Sequence, residues 1–345
     1  MVFRLGYQIA TSIYPPQVML ERFKLMEEAG LDILWFGDHF HPWFHSGAQG
    51  PQTWVVMATA ADRTSKVQIG TSVTAPICRY HPAIVAQAFA TLGTMFPERI
   101  ILGLGTGEAM NEIPLGYKWP PFKERAERLE EAIRLIRLLW SEEFTDFKGR
   151  YYQLRKANLY TKPKNPIPLY VAANGPTVAR IAGRYADGFI TPVADLNYAK
   201  SVLFPALYEG AKDNGRDASR IETVVELSTC YDQNHERGLE YARKIGAAAT
   251  PLFFKLSLHD PRDIEEFGKL ISDEVLTKKF LVSSEPEPFI NAIEKALESG
   301  FTQAYFSGMT ADEPGFLEML EKHVIPYLKS TYADRLKAAG SNSLL

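Results

Sequence analysis

The sequence predicts an α/β fold, a (β/α)8 TIM barrel carrying insertion segments, and three observations predict it. Short β-rich runs alternate with longer amphipathic segments along nearly the whole chain. Eight such strand runs can be counted, and residues able to do chemistry stand directly after several of them. At 345 residues, 46% hydrophobic and 23% charged, the chain is long enough for one large α/β domain, with a doubly wound sheet as the competing arrangement. We expect one barrel domain over residues 1–335, insertions at about 141–165 and 250–279, and a loose C-terminal tail at 336–345.

The first strand is expected at Arg4–Ile9, with a helix from Pro16 to Ala29 stopped by Gly30. The second is Ile33–Asp38, followed by a helix over Pro51–Asp62. Val67–Val73 makes the third, and His81–Met95 its helix. Arg99–Gly105 is the fourth, followed by the loop Thr106–Lys123 and a long helix near Glu124–Trp140, whose Leu129, Ile133, Ile136 and Leu139 share one face. Thr145–Tyr152 reads as a small surface hairpin. The fifth strand is Pro168–Ala173 with a helix over Pro176–Tyr185, and the sixth is Phe189–Val193 with a helix across Ala199–Asn214. Glu222–Cys230 is the seventh, followed by a helix over Glu236–Ala249. Thr250–Lys279 is a long interruption of the kind used for lids or substrate-binding insertions. Phe280–Ser284 is short and apolar, and Ser284 is placed to cap the helix through Leu297. Gln303–Gly308 is the eighth strand, and a helix over Pro314–Tyr327 closes the pattern.

A net charge of -3 carries no strong field, which argues against nucleic acid or an acidic membrane surface as the main partner and favours a small-molecule substrate. No apolar run approaches the ~18 residues of a membrane span. The N-terminus lacks the pattern of a secretory leader, and a cytoplasmic protein is expected. Cys78 and Cys230 stand far apart, without the spacing of a disulfide framework or a cysteine zinc site.

In a barrel, residues after the strands converge on one mouth. Asp38-His39-Phe40-His41-Pro42-Trp43 follows the second strand. His39 suits general base work, since an unperturbed imidazole titrates near ~6.5. Asp38 orients that ring, accepts a hydrogen bond from a cofactor, or caps the loop. Trp43 and Trp54 either wall a pocket for a planar cofactor or pack beneath the loop.

After the fourth strand, Gly103-Leu104-Gly105-Thr106-Gly107-Glu108 imitates a dinucleotide fingerprint. Glu108 stands where the last glycine belongs, and Pro114, Pro120 and Pro121 break the helix that should follow, which rejects that reading. The glycines instead let backbone approach a flat ligand and leave Glu108 as a proton donor or acceptor, unless this is merely a turn with a solvated glutamate. His39, His41 and His45 raise a metal site, but no histidine lies between His81 and His235 to complete it, so no metal is expected. Asn174-Gly175-Pro176-Thr177 opens a helix whose free N–H groups favour a phosphate. Lys255 and Lys279 bracket the long insertion and suit an anionic substrate.

Asp38–Trp43, Gly70-Thr71-Ser72-Val73, Arg79–Thr91 and Thr106–Glu112 together resemble the luciferase-like monooxygenase superfamily and, within it, the F420-dependent glucose-6-phosphate dehydrogenase family. The resemblance implies the bacterial-luciferase type of barrel, a homodimer, and coenzyme F420, an 8-hydroxy-5-deazaflavin. It implies hydride transfer from a carbinol carbon to C5 of the deazaflavin, with His39 taking the hydroxyl proton, Trp43 shielding the reacting centre and Glu108 protonating N1. Asp38, Ser72, Val73, Gly107, Asn111, Ala173, Asn174, Gly175 and Pro176 fall where that family lines its cofactor, and a cis peptide is implied at Ser72-Val73.

Lys255 and Lys279 fall at two of three basic positions that hold the sugar phosphate. The third falls near Asp195, with its charge reversed, and Ser12 replaces a glutamate. His41 in the Asp-His-Phe-His-Pro-Trp run resembles F420-dependent secondary alcohol dehydrogenases. The substrate implied is therefore a sugar phosphate, such as glucose 6-phosphate, or a secondary alcohol. An FMN-dependent monooxygenase of the same superfamily, a metal-dependent barrel hydrolase and a non-catalytic binding barrel are the alternatives.

Overall fold

Alternating β-branched and aromatic runs become the strands of a closed parallel barrel in the computed structural model, which describes residues 3–310 and 312–332. In chain order the strands are β1 (Arg4–Ile9), β2 (Ile33–Phe36), β3 (Gln68–Thr71), β4 (Ile100–Leu104), β5 (Thr145–Lys148), β6 (Gln153–Ala157), β7 (Leu169–Ala172), β8 (Gly188–Thr191), β9 (Glu222–Tyr231), β10 (Leu281–Ser283) and β11 (Gln303–Gly308). Eight of them, β1-β2-β3-β4-β7-β8-β9-β11, form the ring, which closes where β1 pairs with β11 from Arg4↔Gln303. The predicted eight-stranded barrel is the observed one.

Inward positions alternate with outward ones, as a pleated strand requires. Ile33, Trp35, Ile101, Tyr170, Ile190, Val224 and Tyr305 form a core inside the ring, while Leu34, Phe36, Val225 and Phe306 pack outward. Trp35 fits because two neighbours lack side chains: a Cβ on Gly6 or Gly70 would stand 2.9 or 2.6 Å from its indole. Arg4, bonded to Gln68, Glu222 and Tyr170, plugs the N-terminal end. The opposite mouth is left for chemistry.

The helices follow the predicted faces, with Leu129, Ile133, Ile136 and Leu139 all buried on the helix Phe122–Ser141. Several local expectations change. The run around Leu281 is a ninth parallel strand, β10, paired with the end of β9 from Leu281↔Thr229. The loop after β4 winds into a helical turn, Ala109–Glu112, and the 250–279 interruption holds three short helices, Leu252–Leu256, Pro261–Lys269 and Asp273–Lys279, each too short to show a clear period in sequence. The hairpin's second strand, Gln153–Ala157, begins only after Tyr152. Glu285 rather than Ser284 precedes the helix Pro286–Glu298, because Pro286 takes its first position. The expected tail lies outside the described residues. No helix among those residues is long and apolar enough to cross a membrane.

Candidate active site

At the C-terminal mouth the loops enclose a cavity of about 710 Å³. The β2 loop supplies His39 and Trp43, the β3 end supplies Ser72 and Val73, and the β4 loop supplies Gly107 and Glu108. Ala173, Asn174 and Gly175 reach it from β7, and Lys279 from the end of the insertion. The Ser72-Val73 peptide is cis, with Gln8 Nε2 donating to Ser72 Oγ at 2.7 Å. Pro176 stands one residue behind Gly175 as the first residue of its helix.

Two predicted residues work from behind the wall. Asn111 is 1% exposed, one turn beyond Glu108 on the Ala109–Glu112 turn. The Phe40 N–H donates to its Oδ1 at 2.8 Å, which orients the amide. Its Nδ2 thereby sits 3.2 Å from His39 Nδ1 and donates to Glu108 Oε2 at 3.0 Å. Base and acid candidates from different strands are thus joined through one amide. Trp43 meets the His39 ring edge-on at 5.4 Å and is backed by Phe253 of the insertion at 5.1 Å.

The electrostatics separate the two groups. Burial, with the nearby Arg79 charge, pushes the His39 imidazole down to about 4, so the ring is neutral and able to take a proton near neutral pH. Burial raises the Glu108 carboxyl, against the opposing pull of Arg79 and Asn111, so it holds its proton longer than an ordinary glutamate.

Asp38 does not reach the cavity surface. It accepts from Thr74 Oγ1 at 2.7 Å and pairs with Arg79 at 3.0 Å, the arginine and aspartate side chains being 5% and 2% exposed. The Arg79 backbone N–H donates to Glu112 Oε2 at 2.8 Å, and burial pushes Glu112 up to about 7. Arg79 Nε and Glu112 Oε1 have no hydrogen-bond partner, 3.8 Å apart. Trp54 stacks on Tyr80 at 4.4 Å, lies outside the cavity lining, and donates to Thr74, so it packs beneath the loop. His41 turns to the backbone of His259, with Nδ1 2.9 Å from its carbonyl oxygen. Among the described residues no three His, Cys, Asp or Glu side chains are grouped to hold a metal.

The expected substrate cations part company. Lys279 Nζ donates to the Pro192 carbonyl at 2.7 Å at the cavity wall. Lys255 is exposed on the helix Leu252–Leu256, outside the lining. Asp195 caps its own helical turn, accepting from the Asn197 N–H at 3.0 Å, and Ser12 lines the cavity. Sequence reasoning missed Arg125, Glu226 and Tyr305, which all line the cavity. Glu226 carried a signal in sequence only as an acid inside the run expected as the seventh strand.

An imidazole and a carboxylic acid tied together at the open end of a parallel barrel define a (β/α)8 enzyme built to move protons on a bound small molecule. Residues 2–303 match the luciferase-like monooxygenase family. The F420-dependent glucose-6-phosphate dehydrogenase of Beutenbergia cavernae is 40% identical over 330 residues, 95% of this chain and 98% of its own, and a Rhodococcus jostii F420-dependent glucose-6-phosphate dehydrogenase 2 is 39% identical over 330 residues, with the same coverage. A solved F420-dependent secondary alcohol dehydrogenase, in complex with an F420-acetone adduct, superposes with a TM-score of 0.89 at 35% identity, covering 93% of this chain and 98% of that one. The chain belongs to the luciferase-like monooxygenase family and, within it, to the family of F420-dependent glucose-6-phosphate dehydrogenases.

Proposed function

We propose that the chain is a coenzyme F420-dependent dehydrogenase acting on CH–OH donors, a sugar phosphate or a secondary alcohol, and that it works as a cytoplasmic homodimer. The observation that carries this is the His39–Asn111–Glu108 linkage at the cavity wall, a neutral base and a proton-holding acid positioned by one buried amide.

The residues present fit a deazaflavin with an anionic tail. Ser72, Val73, Gly107, Ala173, Asn174 and Gly175 would hold it, beside the start of the helix Pro176–Tyr185 with its free N–H groups. Arg125 at the same cavity keeps a buried Nε without a partner, a donor suited to an anionic group. When bound, the deazaflavin supplies the hydride acceptor. His39 takes the alcohol proton, Glu108 delivers a proton at N1, and Trp43 orients the donor and excludes water.

Titrating oxidised F420 into the purified chain, then adding glucose 6-phosphate or isopropanol while following deazaflavin absorbance, tests the proposal. Binding followed by bleaching, lost in His39→Ala and Glu108→Gln, is expected. Retention of FMN and oxygen consumption by the reduced flavin, with no affinity for F420, would refute it in favour of a monooxygenase.

A further inference from the structure

One wall of the cavity carries charge that the proton chemistry does not use. Alternation along β9 turns Val224, Glu226 and Ser228 inward, and Glu226 and Ser228 reach the cavity. Glu226 Oε2 accepts the Tyr305 hydroxyl at 2.9 Å, while Oε1 has only a long contact of 3.4 Å from Ser228. Beside it Lys279 spends one ammonium proton on Pro192 and keeps two others. Burial pulls the Lys279 pKa down and the Glu226 charge pulls it back up, so the two charges act on each other. Among the described lining residues the cations are Arg125 and Lys279 and the acids are Glu108 and Glu226.

Three kinds of donor meet this wall differently. A dianionic phosphate would find one partly neutralised ammonium, a carboxylate that repels it, and no help from the exposed Lys255 or the self-capped Asp195. A small apolar alcohol would set methyl groups against a carboxylate and an ammonium and leave both short of partners. A neutral polyol satisfies both, because each hydroxyl can donate to the carboxylate or accept from the ammonium.

We infer that Glu226 and Lys279 form a hydroxyl-recognition wall, and that the donor is an uncharged polyhydroxylated alcohol, a free sugar or polyol. This rests on the dehydrogenase reading. In the reaction the carbinol C–H leaves as hydride, with its two electrons, to C5 of the oxidised deazaflavin. The hydroxyl proton goes to His39, a proton from Glu108 goes to N1, and the carbinol becomes a carbonyl.

F420 binding is measured first on the wild-type chain, and its failure strikes the parent reading. With F420 bound, glucose and myo-inositol are compared with glucose 6-phosphate and isopropanol for turnover, and for binding by calorimetry. A neutral polyol is expected to exceed both rivals in kcat/KM by about tenfold or more. Glucose 6-phosphate or isopropanol equalling the best polyol would overturn the inference, and so would F420 binding with no polyol turnover or binding. Glu226→Gln and Lys279→Met are each expected to raise the polyol KM about tenfold while leaving F420 affinity within about twofold. If Glu226→Gln weakened F420 binding and spared the polyol KM, the carboxylate would belong to the cofactor and the inference would fall.

Discussion

Replacing Asn111 with leucine removes the amide that joins base to acid while keeping the branching at Cγ. Three contacts go at once: the Phe40 N–H at 2.8 Å, His39 Nδ1 at 3.2 Å and Glu108 Oε2 at 3.0 Å. Losing a partner for the Phe40 N–H costs about 1 kcal/mol of stability. The proton chemistry moves further. Asn111 holds the Glu108 pKa down, so its loss drives the acid higher. A hydrogen bond to a charged group is worth about 1.5–3 kcal/mol, and losing it moves the Glu108 titration upward. The proposed chemistry requires His39 neutral and Glu108 protonated, so kcat/KM should rise through the first pKa and fall through the second. Asn111→Leu should therefore extend the pH profile at its alkaline end, while kcat drops as orientation is lost. Initial rates of deazaflavin bleaching across pH, with melting curves on the same samples, measure both effects. An alkaline limb that moves down, or one that stays in place while stability falls, would refute the linkage.

Glu112 is raised in the folded state to about 7 from an ordinary 4.5, so the native protein binds the extra proton between those values and loses stability as pH rises through them. The loss amounts to at most about 3 kcal/mol, and Glu112→Gln should flatten it; parallel slopes for variant and wild type in urea unfolding across pH would contradict this. Arg79→Met strands the buried Asp38 and Glu112 carboxylates without their cation and should destabilise by about 3 kcal/mol or more. Adding Asp38→Asn should recover part of that, as a double-mutant cycle would measure. A Cβ on Gly103 would stand 1.9 Å from the Thr71 carbonyl oxygen, so Gly103→Ala must force β3 from β4. A loss of about 3 kcal/mol or more in melting or urea unfolding is expected, and near-wild-type stability would count against the packing described here.

The fold and one half of the site were legible because their determinants are local. Strand runs such as Ile33–Phe36 carry their burial in composition, and His39, Trp43 and Glu108 lie within a few residues of a strand end that fixes where they point. The roles of Asp38 and Asn111 were less legible. Both were read as lining residues, yet each is buried and acts through a partner, Asp38 through Arg79 and Asn111 through His39 and Glu108. No spacing in the chain announces that Arg79, 41 residues from Asp38, supplies its counter-charge. The three short helices of 250–279 stayed hidden because five to nine residues show too little of a 3.6-residue period to separate from a polar loop.

The recognition wall was harder to read for a different reason. Glu226 and Tyr305 come from β9 and β11 and neither stands in a motif; Lys279, expected from the sequence to meet the substrate, joins them only when the barrel closes. Yet the physics that hid them also constrains them. A carboxylate at a barrel's inner wall beside a half-buried ammonium needs partners on both sides, and Tyr305 and Pro192 supply only part of that. The remaining partners come from whatever enters the cavity. On this proposal the wall bearing His39 and Glu108 would fix the reaction, and the wall bearing Glu226 and Lys279 would select the donor. Changes at the second wall should therefore alter which alcohol is oxidised while the pH limbs set by the first stay in place, a separation that substrate profiling of Glu226→Gln across pH would expose.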